Sequence, residues 1–563
     1  MTWQPNLESM KVLEVAVVGS GPAGLYTAEA LVKHAAALPD RTGTGLEGPV
    51  RVRVDVFDRL PTPYGLVRYG VAPDHKSIKS IAEYLRKVLE SPDVRFIGGV
   101  HLGEAVTRAE LLSAYDAVVY ATGATRDRRL GIPGEDLPGS YAATDFVNWY
   151  CGHPDVGPSS FTLDAESVAV IGVGNVAVDV ARILARDPAE LHTTDISQPV
   201  LEALQDSKVR EVHMIGRRGP AHAKFTTKEL RELGELPGVG VIVPAAEADL
   251  DAFDGAGEGT ATAEADRRVR GNMVVIKKWA TNNAPAPVPA TPAATPDSAA
   301  LEAPAVPAAT SAPVDAQPGD PEDAEGAHAR TLTIRFWLRP VEITGDEQVT
   351  GLVLERTRLD ENGAFQGTGE LETLEAQMVL RSVGYQSVPL DGVPFDERAA
   401  VVPNAAGRVL GPDGTPLPGE YVAGWLKRGP TGVIGTNKSD AAETVRNLLA
   451  DLVGGAAVDE AALPRPGVLR YPDGAPTTAG ARVQALEETL ARRGIRAVSY
   501  AEWLRVETAE ADLARSLGRG ERVKLHGKEA IFAACWPADD PASDSLSDAP
   551  GDPASEATPA DPD

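Results

Sequence analysis

At 563 residues, with 43% hydrophobic and 24% charged positions, the chain is long enough for two or three domains with full cores and has an ordinary globular composition. It contains no run of 18 apolar residues, so no membrane-spanning helix is expected; Cys151 and Cys535 are its only cysteines, far apart in sequence, which argues against a dithiol centre, a protein-ligated iron–sulfur cluster and a disulfide scaffold. The formal charge of −27 is concentrated: residues 284–329 hold seven acids and residues 536–563 hold eight, with no Lys or Arg in either, so −12 remains once both are set aside. No basic stripe points to a nucleic-acid partner, and no cluster of metal-ligating residues stands out.

The start of the chain, Met1-Thr2-Trp3-Gln4-Pro5, has neither a basic leader nor an apolar stretch, so a reducing cytoplasm is the expected compartment. Residues 15–37 predict strand, turn and helix, with Gly19-Ser20-Gly21-Pro22-Ala23-Gly24 as the turn. Small residues there let the backbone touch a pyrophosphate at a helix N-terminus. Arg51 to Phe57 predicts the next strand, closed by Asp58, whose carboxylate suits ribose hydroxyls and therefore FAD or NAD. Asp58 lies further from the glycines than the usual ~20 residues, and a Gly/Pro-rich surface insertion from Leu38 to Val50 accounts for the excess. A third strand, Ala117-Val118-Val119-Tyr120, ends this unit.

The pattern then repeats. Val168 to Ile171 leads into Gly172-Val173-Gly174-Asn175-Val176-Ala177 and a helix, and Glu211 to Ile215 predicts the following strand. That strand ends in Gly216-Arg217-Arg218-Gly219-Pro220 instead of an acid. Two guanidiniums match a phosphate dianion, so this half should prefer NADP to NAD; a loop with ordinary surface arginines is the plainer alternative. Residues 284–329, rich in Ala, Pro and acids, predict a disordered insertion, because strand-like Thr331 to Phe336 resumes directly afterwards. Thr431-Gly432-Val433-Ile434-Gly435 precedes a helix from about Asn437 to Leu449, whose N-terminus could stabilise negative charge on a reduced flavin. Residues 536–563 predict a disordered acidic tail. Strands alternating with helices argue for parallel sheets with helices on both faces.

The stretch Arg59-Leu60-Pro61-Thr62-Pro63-Tyr64-Gly65-Leu66-Val67-Arg68-Tyr69-Gly70-Val71-Ala72-Pro73-Asp74-His75 closely resembles the signature of the adrenodoxin reductase family, the ferredoxin–NADP reductases built like glutathione reductase. Gly174 to Arg182, Gly216 to Glu229 and Gly424 to Gly435 resemble the same family, in the same order. The resemblance implies an α/β fold with two Rossmann-like three-layer dinucleotide-binding domains, glutathione-reductase-like. Residues 1–124 and 390–535 would form the FAD-binding domain, and residues 125–389 the NADP-binding domain between its halves.

It also implies FAD contacts at Gly19, Gly21, Ala23, Gly24, Asp58, Leu66, Val100, Trp425, Gly432, Val433 and Ile434. The family carries a glutamate where this chain has the shorter Asp58. NADP contacts would fall at Gly174, Asn175, Val176, Arg217, Arg218, Glu229 and Gly432, with His75 and Asp179 beside the isoalloxazine as the catalytic pair. By themselves, Trp425 could fill a core, Glu229 could stabilise a helix start and Arg267-Arg268-Val269-Arg270 could be a solvated cluster. The implied reaction passes a hydride from NADPH to FAD and then single electrons to an acidic ferredoxin-type iron–sulfur protein, by a monomer. Two alternatives stay open. One is a same-fold FAD oxidoreductase with a quinone or partner-subunit acceptor, the thioredoxin type being disfavoured by the lack of CxxC; the other is a flavin-binding regulatory protein without turnover.

Overall fold

The computed structural model describes residues 11–38, 50–248, 263–282, 330–453, 469, 471, 475–520 and 522–537. Most of the expected 38–50 insertion, the whole 284–329 segment and the tail beyond residue 537 lie outside the described residues. Trp536, assigned to that tail by sequence, stacks on Phe532 at 4.8 Å, and its Nε1 donates to Glu502 at 2.9 Å.

One seven-stranded sheet runs in the order Asn404–Ala405, Arg408–Leu410, Pro416–Val422, Ala117–Tyr120, Lys11–Val18, Val50–Asp58, Val94–Gly98. Its last five strands are parallel, and the two short edge strands pair antiparallel. Lys11–Val18 is buried from Leu13 onward, because both faces of this sheet are covered. Side chains alternate across the sheet with period two. Leu13, Val15 and Val17 join a core with the helices Pro22–Ala36 and Thr436–Val453, whereas Ala16 and Val18 join another with Val483, Leu486 and Leu490 of Ala479–Arg492. That makes three layers. Strands from both ends of the chain close the sheet, with Pro416–Val422 lying beside Ala117–Tyr120.

A second, six-stranded sheet is parallel throughout, in the order Ser140–Ala142, Met378–Arg381, Ser167–Ile171, Glu211–Gly216, Arg330–Phe336, Val239–Ile242. Val168 and Val170 face helices, including Asn175–Ala185. Ala169, Ile171 and Ile215 face a three-stranded antiparallel sheet, Leu338–Thr344, Gly351–Leu359 and Phe365–Glu375, through Leu338, Leu352 and Leu354. Here the expectation of helices on both faces is corrected: one face carries a sheet. An antiparallel sheet with one apolar face can serve as a layer as well as helices do.

The chain crosses between the two units twice. Arg126–Asp127 on the way out pairs antiparallel with Tyr385–Gln386 on the way back. The C-terminal elements Tyr500–Ser516 and Lys528–Cys535 pack on the first unit. Between those two helices, Lys524 Nζ donates to the backbone oxygens of Arg68 and Cys151, at 2.5 and 2.9 Å, tying that stretch to both sides of the seam.

Candidate active site

Both glycine turns start helices that lack a side-chain cap among the described residues, and neither helix has an acid in its first turn. The first-turn N–H groups are therefore available to an anion, and the dipole favours one there. In the first turn, Gly24 presses the helix against the strand: a Cβ at Gly24 would lie 1.8 Å from the Gly19 carbonyl oxygen. At Gly174 a Cβ would meet nothing within 4 Å, so open space lies over the start of the second helix.

The 59–75 segment is fastened onto the first turn. Tyr64 N donates to Ser20 O at 3.0 Å, and a Cβ on Gly65 would come 3.0 Å from Gly21 Cα. The segment ends in His75, whose Nε2 meets Asp179 Oδ1 at 2.9 Å. Asp179 rides on the helix of the second turn, so this contact joins the two halves of the molecule. Burial opposes charge on His75, but the Asp179 hydrogen bond and the fields of Asp179 and Asp74 outweigh it, and the net shift is upward.

The Trp425 segment arrives from the other end of the chain. A Cβ on Gly424 would sit 2.4 Å from Ala23 Cβ, which places this segment against the first turn's helix. Trp425 is half-buried, stacks on Tyr385 at 5.8 Å and 30°, and donates from Nε1 to Thr431 O at 3.2 Å. The loop that follows is open: Gly432 has φ +81°, Val433 is 70% exposed, and Ile434 packs partly into the first core. The helix after it spans Thr436–Val453 and has no acid in its first turn. An exposed apolar loop therefore stands at a helix N-terminus, next to the segment that packs on the first turn's helix.

These features bring together a buried His–Asp pair and two glycine turns at helix N-termini, and comparison with known proteins shows the family. Residues 13–234 match the family described as pyridine nucleotide-disulphide oxidoreductase. NADPH-ferredoxin reductase FprA of Mycobacterium tuberculosis is 42% identical over 448 residues, spanning 79% of this chain and 85% of that protein. The chain belongs to the family of NADPH-ferredoxin and adrenodoxin reductases. The mitochondrial NADPH:adrenodoxin oxidoreductase of Salvelinus fontinalis is 36% identical over 529 residues, 92% of this chain and 91% of that one. The structure of M. tuberculosis FprA in complex with NADPH superposes with a TM-score of 0.74 at 38% identity, covering 93% of this chain and all (100%) of the other.

Within this family member, some predicted contacts are engaged by the protein itself. Asp58 Oδ2 accepts from Ser20 N at 2.8 Å and from Ser20 Oγ, while Oδ1 accepts from Leu60 N at 2.9 Å. Burial raises its pKa against those hydrogen bonds. The shorter acid thus braces the glycine turn. Val100 N donates to Asp58 O at 2.9 Å, and Leu66 opens the short helix Leu66–Tyr69.

Glu229 closes a capping box with Thr226, at 3.0 Å from Thr226 Oγ1, and burial raises its pKa. Asn175 Oδ1 accepts from Thr226 N at 2.9 Å, which links the second turn to that cap, and Val176 packs against the second core. Arg217 is exposed and Arg218 half-buried at the end of their strand.

Sequence reasoning passed over several residues in the site. Arg182, fully buried, donates to Asp74 at 2.6 and 3.0 Å and lies 2.8 Å from Asp179. Glu232 approaches His75 and Arg182 at 3.9 Å each. Tyr385 backs Trp425. Asp74 and Arg182 both lie inside the motifs that carried the resemblance, and an acid and a base both buried in one motif pair are a signal that they meet. Glu232 has no comparable mark; only the helix Thr227–Leu233 turning over the seam brings it there.

Proposed function

We propose that this chain is an NADPH-dependent reductase that passes a hydride from NADPH to FAD and single electrons onward to a ferredoxin-type iron–sulfur protein. Bound flavin supplies the step from paired to single electrons, which no side chain can perform. The chain's own residues bind and orient. The first turn's N–H groups, with Asp58 bracing Ser20, hold the FAD pyrophosphate; Trp425 and the Gly432-Val433-Ile434 backbone flank the ring. The second turn holds the NADPH pyrophosphate, and Arg217 and Arg218 take its 2′-phosphate. His75, held by Asp179, keeps a proton within reach of the seam between the two cradles.

Residues 1–124 with 390–535 serve FAD and 125–389 serve NADP, an assignment supported by which strands share each sheet. Both cradles and the loop between them come from one polypeptide, which supports a working monomer. Cys151 and Cys535 are buried and unpaired, in keeping with a reducing cytoplasm. Among the described residues no helix is long and apolar enough to cross a membrane.

The observation that carries this reading is the His75–Asp179 contact, which joins a segment fastened to one glycine turn to the helix of the other. Anaerobic NADPH should bleach a flavin spectrum at once, and cytochrome c reduction should require an added ferredoxin. Arg217→Ala with Arg218→Ala should raise the NADPH KM ~10- to 150-fold per residue and leave that for NADH nearly unchanged. A colourless protein, or equal effects on both coenzymes, refutes the proposal.

A further inference from the structure

The paired arginines do not end in a free loop. The antiparallel sheet that covers this face of the second unit reaches under them. Thr357 Oγ1 donates to Arg217 O at 2.8 Å, and Trp337 N lies 3.4 Å from Arg218 O. Trp337 has φ +62°, a left-handed conformation that a bulky residue seldom holds unless its surroundings impose it. Its indole lies directly beneath Gly219, where a Cβ would come 2.2 Å from the ring. Next to it, the Arg218 guanidinium sits 4.6 Å above the centroid of Phe365. The His222 ring packs perpendicular to that same ring, with centroids 5.2 Å apart at 90°, which helps to fix its plane.

Phe365 is the first residue of its strand, opposite Leu359, directly after a hairpin turn in which Asp360 Oδ1 accepts from Asn362 N and Ala364 N at 2.9 and 2.7 Å. The ring is therefore held at a rigid end of the sheet. A phenyl face attracts a guanidinium but offers it no hydrogen-bond acceptor. Arg218 Nε is buried with no hydrogen-bond partner among the described residues. The side chain is thus located while its Nε stays unspent among the described residues, and a doubly charged anion needs such a preset donor.

We propose that Phe365 is a positioning residue for coenzyme choice: it is the shelf that holds the Arg218 guanidinium ready for the 2′-phosphate of NADPH, so the antiparallel sheet is a specificity element as well as a core layer. This rests on the reading of Arg218 as a 2′-phosphate ligand. The interaction discriminates between coenzymes because only the phosphorylated ribose reaches the preset arginine. Without the shelf, Arg218 must be ordered at each binding event, and the loss falls on the phosphate-bearing ligand alone.

The test uses the FAD-loaded holoenzyme with adenosine 2′,5′-bisphosphate and adenosine 5′-monophosphate as competitive inhibitors against NADPH. Phe365→Ile keeps a strand-favouring apolar residue and removes the aromatic face; Phe365→Tyr keeps the face. Phe365→Ile should weaken the bisphosphate ~3- to 30-fold and leave the monophosphate and the flavin content unchanged, while Phe365→Tyr stays near wild type. On an Arg218→Ala background, Phe365→Ile should add nothing. The inference is overturned if Phe365→Ile weakens both inhibitors alike, if Phe365→Tyr behaves as Phe365→Ile does, or if the Phe365 effect persists without Arg218. An Arg218→Ala variant that still prefers the bisphosphate as strongly as wild type overturns the 2′-phosphate reading itself, and is recognisable apart from the other outcomes.

Discussion

Gly174→Ala separates the cost of a side chain to the protein from its cost to a ligand. Gly174 precedes the helix Asn175–Ala185 with φ −113° and ψ 178°, extended backbone that alanine adopts freely. A Cβ there would meet no protein atom within 4 Å. The folded protein should therefore tolerate the change, with an unaltered urea midpoint and flavin content. If a pyrophosphate lies against this backbone, the methyl group takes its place and the phosphate must move off the helix N-terminus. One charge-assisted backbone hydrogen bond lost costs about 1.5–3 kcal/mol, equivalent to a ~10- to 150-fold weaker NADP+. Equilibrium titration of the oxidised holoenzyme with NADP+ measures this directly, free of the kinetic terms in KM. NAD+ should weaken by the same factor, since both coenzymes carry the pyrophosphate, in contrast to the arginine variants. Gly24→Ala is the opposite case, because its Cβ would overlap the Gly19 carbonyl at 1.8 Å and must disturb the fold and FAD retention together. Unchanged NADP+ affinity in Gly174→Ala would remove the pyrophosphate from the second turn.

Arg68 and Glu510 form a buried ion pair, 5% and 0% exposed, with the guanidinium also 4.8 Å from the Trp503 ring. Arg68→Met should lose about 3–5 kcal/mol in urea unfolding by leaving buried Glu510 with only Leu525 N and the more distant Arg522 as partners, and a loss under 1 kcal/mol would show that Arg522 compensates. His75 gives a pH signature. It faces Asp179 at 2.9 Å, Glu232 at 3.9 Å and the Arg182–Asp74 pair, and its folded pKa is raised above the ordinary 6.5. Its stabilising contribution is therefore complete below 6.5 and is lost as pH rises through the higher folded value. Urea midpoints between about pH 5.5 and 8.5 should fall less steeply with pH in Asp179→Asn than in wild type, and identical slopes would refute the coupling.

The strand–turn–helix units were legible because each is local: an apolar run, a glycine turn and a helix within about 25 residues. The strands Lys11–Val18, Val50–Asp58, Ala117–Tyr120, Ser167–Ile171 and Glu211–Gly216 lie within a few residues of expectation. The antiparallel sheet over 338–375 was not legible, since its charged strands, with Arg339 paired to Glu355 and Arg356 to Glu372 across neighbouring strands, read as polar loop when each is taken alone. Asp58 shows a different limit. The sequence places an acid at the right strand end, but whether the carboxylate reaches a ribose or folds back on Ser20 depends on one methylene of length, which only coordinates resolve. The same holds for Phe365, a lone aromatic after a hairpin until Arg218 is seen above it.

The seam between the units bears on how the reaction is organised. Two domains joined by crossing strands are expected to move relative to each other unless their interface is extensive. Here Arg182 is buried against Asp74, His75 meets Asp179, Lys79 pairs with Asp195 at 2.6 Å, and Lys524 binds backbone on both sides. Burial and the nearby lysines act oppositely on Asp195, and the lysines prevail, holding its carboxyl well below the usual range. Opening the seam would break these pairs together, and each partner would exchange its opposite charge for water. A hydride moves only across a short, well-aligned gap, and that alignment comes cheaply if the two cradles are held at fixed separation before either nucleotide arrives. On the proposed reading, nucleotide would exchange by way of the open space over Gly174 and the exposed loop at Gly432 and Val433, neither of which requires the charged pairs to separate.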